Sequence, residues 1–257
     1  MKRTLLLTAC LAASLASYAQ VYSTSFEAPE FVPGALEGQA GWQTTGSVNP
    51  AWVVSGDRSS TGTRSLRWSD GNGGAALTAW TSAHPVFNNP TQEIQAGFKL
   101  FISNSTSDSR RFGFDVSYNT NSRSRLVIAT DGRVHANTST ASGILSQIAL
   151  LPTPAMQRWI SVDLNINFLT RAVIATVDGV QVALPNLGVG TDRIEDFGLH
   201  VAYLTPITGD SGLAYFDDYR VAAVPEPAFM ALLALGAVVA NRRRNKRKES
   251  PLRHEQP

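Results

Sequence analysis

Between residues 20 and 223 apolar and polar residues alternate one by one, and no sustained 3.6-residue apolar stripe interrupts them. Side chains of an extended strand point to opposite faces in turn, so alternation predicts half-buried strands. Phe112, Phe114, Val116 and Tyr118 alternate with Gly113, Asp115 and Ser117, and Phe98, Leu100 and Ile102 alternate around Lys99. Leu126 to Ala129 and Val134 to Ala136 flank Asp131-Gly132, while Ala172 to Val177 and Val180 to Leu184 flank Asp178-Gly179. Asp-Gly between apolar runs predicts a hairpin through a type I′ turn, because both residues tolerate positive φ. Further strands are expected over Val21 to Phe26, Ala51 to Ser55, Arg64 to Ser69, Leu77 to Thr81, Trp159 to Ile166, Phe197 to Leu204 and Leu213 to Val221. About a dozen short strands joined by Gly, Ser, Asn and Thr predict an all-β, two-sheet antiparallel jelly-roll sandwich.

The two ends read differently. Met1-Lys2-Arg3, the apolar run Thr4 to Ser17 and the small-x-small sequence Ser17-Tyr18-Ala19 form a signal peptide over residues 1–19, to be cut by signal peptidase between Ala19 and Gln20. Leu7-Thr8-Ala9-Cys10 imitates a lipobox, but the apolar run before it is only about six residues, short for an export signal. At the other end Pro225-Glu226-Pro227 precedes an apolar stretch over 228–240 and a basic cluster of Arg242, Arg243, Arg244, Lys246, Arg247 and Lys248; a polar tail occupies 249–257. Thirteen apolar residues make a helix of roughly 20 Å against a hydrocarbon layer of ~30 Å, so the expected transmembrane helix suits a transient anchor. Its basic flank would stay cytoplasmic, placing the sandwich across the inner membrane. This order over 224–248 resembles the PEP-CTERM sorting signal of Gram-negative bacteria. The resemblance implies processing by a membrane exosortase and a mature protein at the cell surface or in the extracellular matrix. A permanent anchor is the alternative.

Charge sharpens the picture. The 257 residues carry 22 basic and 20 acidic side chains, a net +2. Once the termini are set aside, thirteen basic and seventeen acidic residues remain between Gln20 and Val224, about −4, and Lys99 is the only lysine. That excludes a nucleic-acid binder resting on a basic face. The single cysteine, Cys10, falls in the signal, so the body has no disulfide, thiolate metal site or cysteine nucleophile.

Trp159-Ile160-Ser161-Val162-Asp163-Leu164-Asn165-Ile166, leading to Asp178-Gly179, is similar to the concanavalin A-like, laminin G-like jelly roll. Ser25-Phe26-Glu27-Ala28-Pro29 and Tyr215-Phe216-Asp217-Asp218-Tyr219 resemble the first and last strands of such exported sandwiches; galactose-binding-like modules share those ends, and remain the second choice of fold. The resemblance implies carbohydrate-binding relatives, some with a structural calcium. Glu27, Asp217 and Asp218 would supply hard oxygen ligands for one if the end strands are neighbours; the alternative is a solvated acidic edge.

Exposed indole rings pack against sugar C–H faces, and Trp52, Trp68 and Trp80, set among Ser, Asp and Asn, are the platform candidates. Trp42 and Trp159 read as structural, and His84, His135 and His200, without ligand spacing, read as ordinary sandwich residues. Thr81-Ser82-Ala83-His84 and Gly209-Asp210-Ser211-Gly212 imitate serine-protease motifs, but about a dozen residues after Ser211 leave no room for the rest of that fold. The adjacent pairs Glu195-Asp196 and Asp217-Asp218 would face opposite ways on a strand and make poor glycosidase dyads. The expectation is a noncatalytic protein that binds extracellular polysaccharide or builds the matrix, with a ligand-free structural protein or a jelly-roll hydrolase as alternatives.

Overall fold

Burial alternates residue by residue where the pattern predicts it: Ile160, Val162, Leu164 and Ile166 are buried while their neighbours are half-exposed. Each such side chain contributes about 1.5–3 kcal/mol on leaving water, which fixes the register of the strand. The computed structural model describes residues 21–45, 52–69, 78–81, 93–105, 110–119, 122–139, 146–184, 196–203 and 212–224. The signal peptide, His84, Ser211, Glu195, the Pro-Glu-Pro motif, the apolar stretch 228–240 and the basic cluster lie outside them. Gln20–Val224 forms one compact unit. Among the described residues no helix is long and apolar enough to cross a membrane.

The first half of the described chain holds β1 (Val21–Thr24), β2 (Gly34–Ala35), β3 (Trp42–Thr45), β4 (Trp52–Ser55), β5 (Ser65–Ser69), β6 (Thr78–Thr81), β7 (Glu93–Ser105) and β8 (Arg110–Asn119). The second half holds β9 (Ser122–Ile128), β10 (Arg133–Ser139), β11 (Ser146–Leu150), β12 (Trp159–Asn167), β13 (Ala172–Val177), β14 (Val180–Leu184), β15 (Asp196–Tyr203) and β16 (Gly212–Val224). One sheet has nine strands in the order β14-β13-β12-β7-β16-β5-β4-β2, with β1 also on β16; the other has seven, β11-β10-β9-β8-β15-β6-β3. Neighbouring strands within each sheet are antiparallel, and the inward rows of both sheets meet in one core. The result is an all-β, two-sheet jelly-roll sandwich.

The two Asp-Gly turns differ. Asp178 (φ 49°) and Gly179 (φ 83°) form the expected tight turn, with Val177 paired to Val180. At the other, only Gly132 is left-handed (φ 90°), and Gly132 N–H donates to Ala129 O at 3.0 Å. The β9–β10 loop is therefore a four-residue connection and not a type I′ turn.

Candidate functional site

Two of the three tryptophan platforms are corrected. Trp52 and Trp68 are 1% and 0% exposed and face each other in register across β4 and β5. Trp52 packs on Phe216 with ring centroids 5.4 Å apart, and Trp68 meets Phe112 edge-on at 5.6 Å. Arg67 and Ser69, the neighbours of Trp68 in sequence, are half-buried and belong to the opposite parity of the strand, so their polarity does not expose the ring. Trp80 falls in β6, with its side chain outside the described residues.

Glu27, Asp217 and Asp218 do gather, because β1 pairs with β16, the condition that their convergence required. Their oxygens, however, turn to the connection between β4 and β5. Glu27 Oε1 accepts from the backbone N–H groups of Thr63 (2.6 Å) and Arg64 (2.7 Å), and Oε2 accepts from Thr63 Oγ1 at 2.9 Å. Asp217 Oδ2 accepts from Ser60 N (2.7 Å) and Thr61 N (3.1 Å), and Oδ1 from Asp218 N at 2.8 Å. Asp218, left-handed at φ 50° where β16 loses register with β7, accepts through Oδ1 from Ser25 Oγ at 3.3 Å and from Thr61 Oγ1. A Cβ on Gly62 would fall 2.3 Å from Glu27 Oε1, so that approach requires glycine. The calcium reading is corrected accordingly. Hydrogen-bond donors occupy the directions a cation would need, and among the described residues no group of three acidic, histidine or cysteine side chains converges as a metal site. The three carboxylates clasp a loop.

The clasp has opposed titrations. Burial pushes Asp217 up to about 6, against the pull of the Thr61 and Ser60 N–H groups, and the neighbouring Asp218 adds to the rise. Burial also pushes Glu27 upward, but the N–H groups of Thr63 and Arg64 outweigh it and hold its carboxyl below the ordinary range. A carboxyl with a raised folded pKa favours the folded state on the acid side, so Asp217's contribution declines as pH rises from about 3.8 to about 6. Glu27's contribution is lost as pH falls. NMR titration of the side-chain carboxyls is expected to place Asp217 near 6 with Glu27 below its ordinary value; coincident midpoints would refute the clasp.

The outward face of the seven-stranded sheet holds a second polar group. Arg111 and Asp115 come from β8, Arg125 from β9, His135 from β10 and His200 from β15. In register, His200 pairs with Gly113, Gly113 with Val127 and Val127 with His135, which places the two histidines in one row three strand spacings, about 14 Å, apart. The next row holds Gly198, Asp115 and Arg125. Arg125 Nε donates to Asp115 Oδ2 at 2.9 Å, and His200 Nδ1 lies 4.0 Å from the same oxygen. Between the histidines a Cβ on Gly113 would collide with Leu126 O at 1.9 Å, so that position admits only glycine.

Arg111, Asp115, His135 and His200 are all buried, which is costly for charged and polar groups unless each is answered. Asp115 is answered by Arg125. Both ring nitrogens of His135 have no hydrogen-bond partner, although the residue is only 7% exposed. Burial first, then the guanidinium groups of Arg111 and Arg133, lower its pKa against the opposing pull of Asp131, so the imidazole is held neutral. A neutral imidazole can donate from one nitrogen and accept at the other. Leaving such a group unsatisfied costs about 1–3 kcal/mol, which a ligand group could recover. His135 is thus not an ordinary sandwich residue, whereas His200 is buried and partnered. The available signal was parity: each is a polar residue between inward-facing apolar neighbours, Val134 and Ala136 in one case, Leu199 and Val201 in the other.

Comparisons with known proteins agree with this architecture. Residues 223–247 match the PEP-CTERM protein-sorting motif, which implies an exported, membrane-anchored precursor processed by an exosortase. The fold is similar to an endo-1,3-beta-glucanase from Streptomyces sioyaensis, at 14% identity over 80% of this chain and 96% of that one, TM-score 0.57. The cellulose-induced protein Cip1 is similar at 11% identity over 79% and 97% of the two chains, TM-score 0.53. A family 7 alginate lyase is similar at 9% identity over 70% and 86%, TM-score 0.51. At these identities the likeness establishes the jelly-roll fold alone. Among curated proteins none matches the sequence.

Proposed function

We propose that this chain is an exported, noncatalytic polysaccharide-binding protein of the cell surface or extracellular matrix, and that the outward face of its seven-stranded sheet takes an acidic glycan. The observation that carries the reading is His135: a buried, neutral imidazole with both nitrogens unsatisfied, beside Arg111 on a face that also holds Arg125. The imidazole N–H is a donor set beside the positive charge of Arg111, a combination that suits a uronate carboxylate. On a body whose net charge is about −4, this locally cationic patch selects an anion by position and not by bulk attraction. Polysaccharide-active proteins on the same fold make alginate the first probe, by analogy only. In the precursor the basic cluster 242–248 stays cytoplasmic, the short helix 228–240 anchors the chain in the inner membrane, and signal peptidase and exosortase act in turn.

Calorimetry of the full chain with alginate is expected to show binding that weakens at least tenfold in His135→Ala, while Arg125→Gln weakens it less and the melting temperature of His135→Ala stays near that of the wild type. Absence of alginate binding leaves a purely structural surface protein, and binding indifferent to both changes removes this face from the site. Depolymerisation of the glycan in the same sample would assign catalysis to the face instead.

A further inference from the structure

The opposite side of the sandwich carries a groove of about 430 Å³ on the outward face of the nine-stranded sheet, within the roughly 300–1,000 Å³ typical of small-molecule sites. Strand parity builds it. In β12 the inward row Val162, Leu164 and Ile166 leaves Asp163 and Asn165 outward; Gln95 comes from β7, Thr176 from β13, Gln181 from β14 and Arg220 from β16.

Its floor depends on a missing side chain. Gly97 pairs with Asp163 on one side and Arg220 on the other, and Arg220 Nη2 reaches across it to Asp163 Oδ1. A Cβ on Gly97 would come within 2.7 Å of that carboxylate oxygen and 3.3 Å of Arg220 Nε, so glycine leaves the path open for the ion pair.

The pair cancels its own charge, and the remaining polar lining is amide and hydroxyl. Gln95 and Gln181 are exposed, and each amide offers both a carbonyl acceptor and N–H donors. Ile174 adds a small apolar surface among them. This is a lining without preference for an anion, and it matches a ligand that presents several hydroxyls, each both donor and acceptor, on an otherwise C–H surface.

We propose that this groove is a second glycan site, specific for neutral hexose oligomers, so that one sandwich holds two different polysaccharides on its two outer faces. The groove stands on its own residues; only the cross-linking of a neutral chain to an acidic one rests on the reading of the seven-stranded face. Two sites on opposite faces of one sandwich let a single protein bridge the two chains, which suits a matrix protein.

The test is calorimetry of the full chain with cellohexaose, laminarihexaose and maltohexaose. At least one is expected to bind. Arg220→Ala is expected to weaken that binding tenfold or more, and Gln181→Trp, which fills the groove without touching the ion pair, to abolish it; both should leave alginate binding unchanged. His135→Ala is expected to leave the hexaose untouched. No heat with any of the three oligomers, or binding that persists in both groove variants, overturns the proposal. Loss of alginate binding alone overturns only the reading of the opposite face.

Discussion

Trp42→Ala is expected to lower the free energy of unfolding by about 3–5 kcal/mol, a large share of the stability of a domain this size. Trp42 opens β3 with no exposed surface and lies where the first and last described strands, β1 and β16, pair. Its ring centroid is 5.4 Å from Phe26 and 5.1 Å from Tyr219, the latter edge-on, and its Nε1 donates to Tyr22 Oη at 3.1 Å. Tyr219 in turn donates to Phe197 O at 2.8 Å across the core. Truncation therefore removes ring contacts to β16 and to the loop after β1 together, and one hydrogen bond to Tyr22 of β1. Urea denaturation should show a lower midpoint at unchanged slope, and Trp42→Phe should recover much of the loss. A cost below about 1 kcal/mol would mean that the aromatic cluster does not join the sheets.

The second large effect concerns the sorting segment. Changing Pro225, Glu226 and Pro227 together to alanine is expected to abolish maturation in the producing cell, so that full-length precursor accumulates in the membrane fraction. The physical basis is the apolar stretch over 228–240: as a helix it would span roughly 20 Å, short of the hydrocarbon layer, and the basic cluster would hold one end at the interface. The substitution leaves that anchor and the sandwich as they are and removes the motif that the family's processing depends on. Cell fractionation with immunoblotting reads the outcome. Normal release of the alanine variant would separate Pro-Glu-Pro from sorting in this chain.

Much of the sandwich was legible because burial enforces parity. Strands such as Ala172–Val177 and Val180–Leu184 coincide with their predicted bounds, and Trp159–Asn167 differs by one residue. The strand Ser146–Leu150 was not legible, since it lies at a sheet edge, exposes Leu150 and buries none of its residues fully, so no alternation marks it. The burial of Trp52 and Trp68 is hidden in the sequence because polar neighbours there say nothing of a ring's surroundings: in a strand the adjacent residue faces away. The acidic cluster was found for a sound reason, the pairing of β1 with β16, but its role was not. That role depends on N–H groups from the β4–β5 connection, and backbone donors leave no mark in composition. The charged face was invisible for a related reason. Arg111, Asp115, Arg125, His135 and His200 come from four strands whose order in the sheet only pairing determines.

Gln20–Val224 is expected to work outside the cell, with the segments around it serving as addresses. Intact-mass measurement of the protein recovered from the surface of its producing cell tests this most directly. The mature chain is expected to begin at Gln20 and end before Arg242; a recovered chain that still continues through Pro257 would show that the C-terminal segment is kept.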